Sequence, residues 1–494
     1  MPVNPVQAAA PPFVLGLDLG TSSVRAIIFD SAGRRVEAAV SQIPYKMATT
    51  PDGGVEIDAD LLLEILCRAI DGALGSADLK IEAVGFSTFW HSLMGVDEKG
   101  RPLTPLYSWN DTRAASAARW LQDEIDERAL HARTGCMLHA SYWPAKLAWL
   151  RSDAGETFSR VARWISIGEY VYLRLFGRAV ASVSMASATG LFDQNQCSWD
   201  RKILFHLGID PNHLSGLDEV RDGLYGLADQ YRMRWPLLAS ARWFPAIGDG
   251  ACANIGSGCV TVDRFALTLG TSGAIRALWK AQSVTVPRGL WCYRADRRRF
   301  VMGGALSNGG DMFAWMTQTL RLGELDELGP QVDSIEADSH GLTVLPFLSG
   351  ERSTGWREEA RAVISGLSLD TTPVEILRAG MESVAYRLAA VYDLLIKEVG
   401  APREIVASGA AVLRSSAWAQ IITDVIGKQI IASAQTEASC RGAALLALES
   451  LGVIPAIEEV EAETGTIYSP DARRHARYLA ARERQERLYR SILG

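Results

Sequence analysis

The sequence has no apolar run of membrane-spanning length, no Cys-x-x-Cys pair and no surplus of basic residues. A bilayer-crossing helix needs about 20 largely apolar residues in a row, so no membrane partner is expected. The seven cysteines, Cys67, Cys136, Cys197, Cys252, Cys259, Cys292 and Cys440, are odd in number and scattered. They read as free thiols of a reducing compartment, here the cytoplasm, and they argue against a zinc site. The formal net charge of −7 disfavours a general nucleic-acid-binding role. Any anionic substrate must then be held by local groups. Residues 1–12 are rich in Pro and Ala and lack a basic segment ahead of a long apolar run. They read as a flexible leader, not a signal peptide.

What is present is a chain of 494 residues, 48% hydrophobic and 22% charged. That is too long for one core and normal for a globular protein of two or three domains. Its organising stretch is Leu17-Asp18-Leu19-Gly20-Thr21-Ser22-Ser23. Apolar runs on either side, Phe13–Gly16 and Val24–Phe29, predict the two strands of a hairpin. The turn of Gly20, Thr21 and Ser22 suits backbone N–H groups that bind phosphate oxygens. Asp18, ending the first strand, could hold a metal ion. Far downstream, Phe265 to Gly273 repeats the pattern with Gly270, Thr271 and Ser272 as its turn, and Thr268 stands where Asp18 stood. Two such hairpins in one chain resemble the actin/hexokinase-type ATPase architecture, in which paired turns grip a nucleotide's phosphates across a cleft.

Between the hairpins, Arg34–Gln42 reads as a third strand, Ile57–Leu74 as a helix and Ile81–Ser87 as a buried strand. Strand, helix and strand in this order predict an α/β domain, whose ligands bind at strand ends. Asp111 is a candidate cap for a helix that follows Trp109. Ala186–Asp193 reads as a packed loop. Phe244–Gly258 reads as a short strand, a Gly248-Asp249-Gly250 corner and a small-residue helix; glycines flanking an acid let substrate or backbone come close. The domain boundary falls near Cys259–Asp263, and a hinge near Gly256–Asp263. Further helices are expected over Asn308–Leu322, Pro373–Val399, Ser416–Gly427 and Asp471–Leu493. The last is Arg-rich, and interleaved acids mark it as a solvated face, not an RNA-binding one.

Taken in order, these motifs resemble the FGGY family of carbohydrate kinases over nearly the whole chain. The carriers are the turn from Asp18, Trp109-Asn110-Asp111-x-Arg113, Gly248-Asp249-Gly250, the turn at 269–272, Ala407-Ser408-Gly409-Ala410, and Glu437-x-Ser439-x-x-Gly442-Ala443-Ala444. Ala362–Leu367 and Glu375–Glu382 match the family's C-terminal signature. Within the family, His91–Asp97, Gly303–Gly310 and Leu348–Arg352 look most like gluconate kinases. That branch commonly has Met where this chain has Trp90, and Pro with an aromatic residue where it has Ser353-Thr354-Gly355. The Asn110-Asp111-Thr112 stretch also departs from that branch. These departures fall near the sugar pocket and leave the exact sugar open.

The resemblance implies two ribonuclease H-like domains flanking a catalytic cleft, residues 13–259 for sugar and base and 260–494 for nucleotide. It implies ATP and Mg²⁺ as cofactors. A sugar hydroxyl must lose its proton as its bond to phosphorus forms, so a carboxylate base is needed; Asp249 matches the family's base. Asp18 and Asp249 are the candidate metal ligands. Gly20, Thr21, Ser22, Gly270, Thr271 and Ser272 would hold phosphates, with Arg25 nearby. Gly310, Ala314, Gly409, Ala410 and Arg414 would line the rest of the nucleotide site, with Ala410 where the family usually has a second Gly. Asn308 would bind either nucleotide or backbone. For the sugar the candidates are Trp90, His91, Asp111, Arg113, Ser141, Tyr142 and Asp249, a bidentate guanidinium suiting a carboxylate. Trp143 and Trp149 read as core.

The leading reading is an ATP-dependent kinase of gluconate or a similar sugar acid, acting on a terminal hydroxyl. A xylulose or ribulose kinase is the alternative within the family, and a cation in the pocket is the discriminator. A non-catalytic ATP-binding regulator is a third reading, and intact Asp18 and Asp249 argue against it. Many relatives are dimers, so a homodimer is the expectation, without an interface signature in the sequence.

Overall fold

The computed structural model describes residues 9–75, 79–218, 223–322 and 325–494. The expected leader therefore lies outside the described residues up to position 8. The first sheet contains β1 (Phe13–Leu19), β2 (Ser23–Phe29), β3 (Arg35–Pro44), β4 (Ile81–Thr88), β5 (Arg242–Trp243) and β6 (Ile247–Gly248). Its order is β5-β4-β1-β2-β3, and β6 also pairs with β4. β1 runs antiparallel to β2 and parallel to β4. The second sheet contains β7 (Arg264–Leu269), β8 (Gly273–Lys280), β9 (Trp291–Arg294), β10 (Arg299–Leu306), β11 (Glu404–Ser408), β12 (Ile430–Ser433) and β13 (Thr464–Tyr468), in order β9-β10-β8-β7-β11-β12-β13.

The two sheets share one plan: a hairpin, a third antiparallel strand beside its second strand, and a parallel strand beside its first. The first strand and its parallel neighbour keep an equivalent register in both sheets, while the hairpins differ by one residue, Asp18 facing Arg25 and Thr268 facing Ala274. Asp18 lies opposite Ser87 as Thr268 lies opposite Ser408. The central strands are buried almost throughout, which is why they read as unbroken apolar runs and not as alternating ones.

Seven helices are labelled here: α1 (Ala59–Leu74), α2 (Ala115–Glu124), α3 (Asp249–Gly256), α4 (Gly310–Thr319), α5 (Pro373–Val399), α6 (Ala438–Ser450) and α7 (Ala472–Leu493). Four local expectations are corrected. β3 runs to Pro44 because its pairing with β2 continues to Ser23. α4 begins at Gly310, not Asn308, because Asn308 Nδ2 donates to Asp311 (2.7 Å) and Ser349 (3.0 Å). Asp111 caps no helix: α2 starts after Ala114, without a side-chain cap. The stretch from Ala186 begins as the end of a short helix, Val183–Ser187, before its buried turn. α7 has Asp471 as its cap, and its arginines pair within the chain, Arg484 with Asp338 and Arg477 with Glu336.

α6 follows most of the second sheet in the chain, yet Cys440, Ala443, Ala444 and Leu445 are buried in the first sheet's core. It reaches that core through glycines. A Cβ on Gly85 would collide with the carbonyl of Ala443, and one on Gly256 with that of Ala438. Reciprocally, a Cβ on Gly442 would collide with the carbonyl of Cys252 in α3. α3 and α6 thus cross at backbone contact. Gly442→Ala is expected to lower unfolding stability by about 1–3 kcal/mol, the usual range for overpacking, read as a shift in urea midpoint. Gly155→Ala, with open space around it, is the neutral control.

Candidate active site

A cavity of about 760 Å³ runs between the two hairpin turns and on toward the aromatic residues beyond β4. Thr21 lines it from the first turn and Ser272 from the second. Each turn is closed by a backbone hydrogen bond from its glycine, Gly20 N–H to Ser23 O (3.1 Å) and, in a turn one residue shorter, Gly270 N–H to Ser272 O (3.0 Å). Ser22 and Thr271 complete the turns without lining the cavity.

Asp18 is buried behind the first turn. Ser87 donates to its Oδ1 (2.9 Å) and Arg25 to its Oδ2 (3.0 Å). Arg25 also pairs with Glu437 (3.2 Å), the residue just before α6. Its charge is therefore shared between two carboxylates before any phosphate arrives. Asp249 opens α3 at the cavity wall, and its own backbone neighbour Gly250 donates to Oδ1 (2.8 Å). Loss of water and the charge of Asp18 push the Asp249 carboxyl up to about 6, against the pull of Gly250 N–H and Arg276. Asp18 and Asp249 form an oxygen-only set in mutual repulsion, a donor chemistry that fits a hard divalent cation such as Mg²⁺.

The glycines flanking Asp249 do admit a close neighbour, and it is Trp90. A side chain on Gly248 or Gly250 would strike its indole. Trp90 donates to Ser184 O (3.2 Å) and meets Tyr293 edge-on, while Tyr293 stacks on Trp291. His91 holds φ at 66°, a left-handed geometry uncommon outside glycine and often kept at functional sites. Burial holds its pKa well below 6.5. Neutral His91 therefore donates from Nδ1 to Ala188 O (2.6 Å), leaving Nε2 as an acceptor.

On the nucleotide side, Gly409, Ala410 and Arg414 line the cavity. Gly409 has φ of 96° against the Leu269 carbonyl, a place only glycine fits easily. Gly310 N–H bonds Gly270 O (2.7 Å) beneath the second turn, and Ala314 is exposed on α4 outside the lining.

Four sugar candidates lie outside the lining. Arg113 is bound to Asp111 (2.6 Å) and Glu56 (2.5 Å) and rests on Trp149. Asp111 also accepts from Val55 N–H (3.0 Å). Tyr142 shares a hydrogen bond with Tyr293 (2.6 Å), so it supports the cavity wall. Ser141 N–H donates to His139 Nδ1 (3.1 Å), and the Ser141 carbonyl accepts from buried Lys146 (2.6 Å). Burial, with Arg352 and Lys146 nearby, drives His139 down to about 3; burial lowers Lys146 to about 7.

Two cations of the cavity lining were given no role by sequence reasoning. Arg276 in β8 donates to Asn254 (2.9 Å) and Thr268 (2.8 Å) and faces Asp249, with no ion pair to a carboxylate among the described residues. Its signal was an Arg inside an apolar strand. Arg352 lies beside Trp109 (5.1 Å to the ring centroid) and Trp356 (6.0 Å). Its signal was only membership of a family stretch.

Two duplicated sheets, each presenting a Gly-Thr-Ser turn to one cleft, define a phosphotransferase of the actin/hexokinase-type ATPase architecture. Residues 13–256 match the N-terminal domain, and 265–451 the C-terminal domain, of the FGGY family of carbohydrate kinases. The gluconokinase of Bacillus subtilis is 27% identical over 468 residues, 92% of this chain and 91% of that protein. The xylulose kinase of Streptomyces rubiginosus is 30% identical over 448 residues, 89% of this chain and 88% of that protein. The crystal structure of gluconate kinase from Lactobacillus acidophilus superposes with a TM-score of 0.92 at 26% identity, covering 97% of this chain and 98% of that one. The chain belongs to the FGGY family of carbohydrate kinases, phosphotransferases that act on an alcohol group of a sugar.

The Asp111–Arg113–Glu56 pairing predicts a structural role for Arg113. Arg113→Met is expected to cost about 1–3 kcal/mol of stability by stranding buried Asp111, while the KM for the sugar changes less than about threefold. Denaturant midpoints and steady-state kinetics on the same preparation check both.

Proposed function

We propose that this kinase transfers the γ-phosphoryl of ATP to a terminal hydroxyl of gluconate or a similar open-chain sugar acid, in the cytoplasm. The observation that carries the reading is Asp249: a carboxylate raised to about 6, at the cavity wall between the two turns, beside Arg276. A base is most effective with its pKa near the working pH. Asp249 takes the hydroxyl proton as that oxygen bonds to the γ-phosphorus. The bond from phosphorus to the β–γ bridging oxygen breaks, and its electron pair leaves on ADP.

The backbone N–H groups of Gly20–Ser22 and Gly270–Ser272 supply fixed dipoles for the phosphate oxygens, and Arg276 supplies charge that needs no reorganisation. Mg²⁺, when bound, would be held by Asp18 and Asp249 directly or through water and neutralises charge on the phosphoryl oxygens. The neutral His91 offers an acceptor to a sugar hydroxyl, and Trp90, Trp291 and Tyr293 offer apolar faces for its carbon chain. A pentulose kinase is the second reading, favoured by the 30% identity to a xylulose kinase.

Two outcomes test the base. Asp249→Asn is expected to lower kcat by about 10²–10⁴-fold, and wild-type kcat/KM should fall on acidification through about pH 6. A substituted enzyme with undiminished ADP release would overturn the assignment. The second outcome is thermodynamic. Lifting an Asp from 3.8 to about 6 makes its ionised form about 3 kcal/mol costlier in the fold. The raised pKa contributes stability below 3.8 that is lost as pH rises through about 6. Asp249→Asn should therefore stabilise the protein by up to about 3 kcal/mol above pH 6 and by little below pH 4, as read from urea titrations at the two extremes.

A further inference from the structure

We propose that Arg352 is the carboxylate anchor of the sugar pocket and the residue that selects an aldonate over a neutral ketose or polyol. The inference rests on the sugar-acid reading above and names the group that would enforce it.

Arg352 lines the same cavity as Asp249. Its guanidinium is half-buried beside Trp109 and Trp356, and it forms no hydrogen bond or ion pair with any described residue. Its Nε is sequestered without an acceptor, and so is the indole N–H of Trp291 in the same lining. Buried donors without acceptors are rare in folded proteins and cost free energy until something accepts from them. The other candidate cation, Arg113, is already neutralised by Asp111 and Glu56. The histidine that also lines this end, His91, is held neutral by burial. Arg352 is therefore a cation left in the lining without a counter-charge, and a planar carboxylate matches its fork. A neutral sugar would leave that charge unpaired against aromatic walls, which penalises it.

The loop that carries Arg352 is fixed in advance. Its neighbour Glu351 accepts from Arg387 of α5 (2.6 Å) and Tyr489 of α7 (2.7 Å). On the other side, Ser353 N–H bonds Ala305 O (3.0 Å), and the Trp356 indole bonds Gly289 O (3.0 Å). A clamped loop places the guanidinium at little entropic cost on binding.

The test compares gluconate with gluconamide, which keeps every hydroxyl and removes the charge. ADP release is followed for wild type, Arg352→Gln and Arg352→Lys, with melting curves for each. Wild type should prefer gluconate by roughly ten- to a hundredfold in kcat/KM, with most of the difference in KM. Arg352→Gln should erase the preference, and Arg352→Lys should keep part of it. A wild type indifferent to the amide overturns the inference whether or not the variants fold. Equal losses on both substrates in Arg352→Gln overturn it too, while leaving the kinase reading intact. If wild type phosphorylates a ketose and neither gluconate nor its amide, the sugar-acid reading itself fails and the anchor with it.

Discussion

The cleft depends on one contact, the crossing of α3 and α6 at backbone distance. α3 starts with Asp249, and α6 starts one residue after Glu437, the partner of Arg25. Gly256 and Gly442 remove the side chains that would hold these helices apart. The crossing therefore joins the two halves and sets the proposed base and the Arg25–Glu437 pair on one cavity. Because both helices are made of small residues there, the placement is rigid in the way a close-packed interior is rigid.

Around that crossing, charge is arranged with few surplus partners. Asp18 has Ser87 and Arg25, Arg25 has Glu437, and among the described residues Arg276 has only neutral acceptors. In a partly desolvated cleft each unbalanced charge acts strongly on its neighbours. Burial and then Asp18 raise the Asp249 pKa, and Gly250 N–H and Arg276 restrain it. The duplicated hairpin explains the asymmetry. The two sheets keep the same register between the first strand and its parallel neighbour, but the second carries Thr268 where the first carries Asp18, so one turn has a carboxylate behind it and the other has a hydroxyl bonded to Arg276.

The far end of the cavity works by a different balance. Aromatic rings exclude water, His91 is held neutral, and Arg113 and Lys146 are engaged elsewhere in the wall. Beside the acceptor Nε2 of His91, this end of the lining holds two donor groups without acceptors among the described residues, Arg352 Nε and the indole N–H of Trp291. On the proposed reading, recognition at this end is a matter of which acceptor arrives, while the turn end serves phosphate. The separation suits a substrate with a charged group at one end and a reacting hydroxyl at the other.

Much of this was legible in short windows. The two hairpins, their Gly-Thr-Ser turns and the Gly248-Asp249-Gly250 corner follow from local period and turn chemistry, because backbone geometry within a few residues is set by those residues. Gly248 and Gly250 were read as room for a close neighbour, but only the fold supplies Trp90 as that neighbour. Arg113 was legible as a cation, yet its charge is cancelled by Glu56, which lies 57 positions away. Arg276 and Arg352 carried no local sign of being unpaired. α6 gave no hint that it would enter the first sheet's core. The sequence by itself determined the family, the repeated Gly-Thr-Ser turns and the identity of the acids. Tertiary structure alone decided which charges remain free in the cleft, because a side chain's net charge in a site depends on distant partners brought to it by packing.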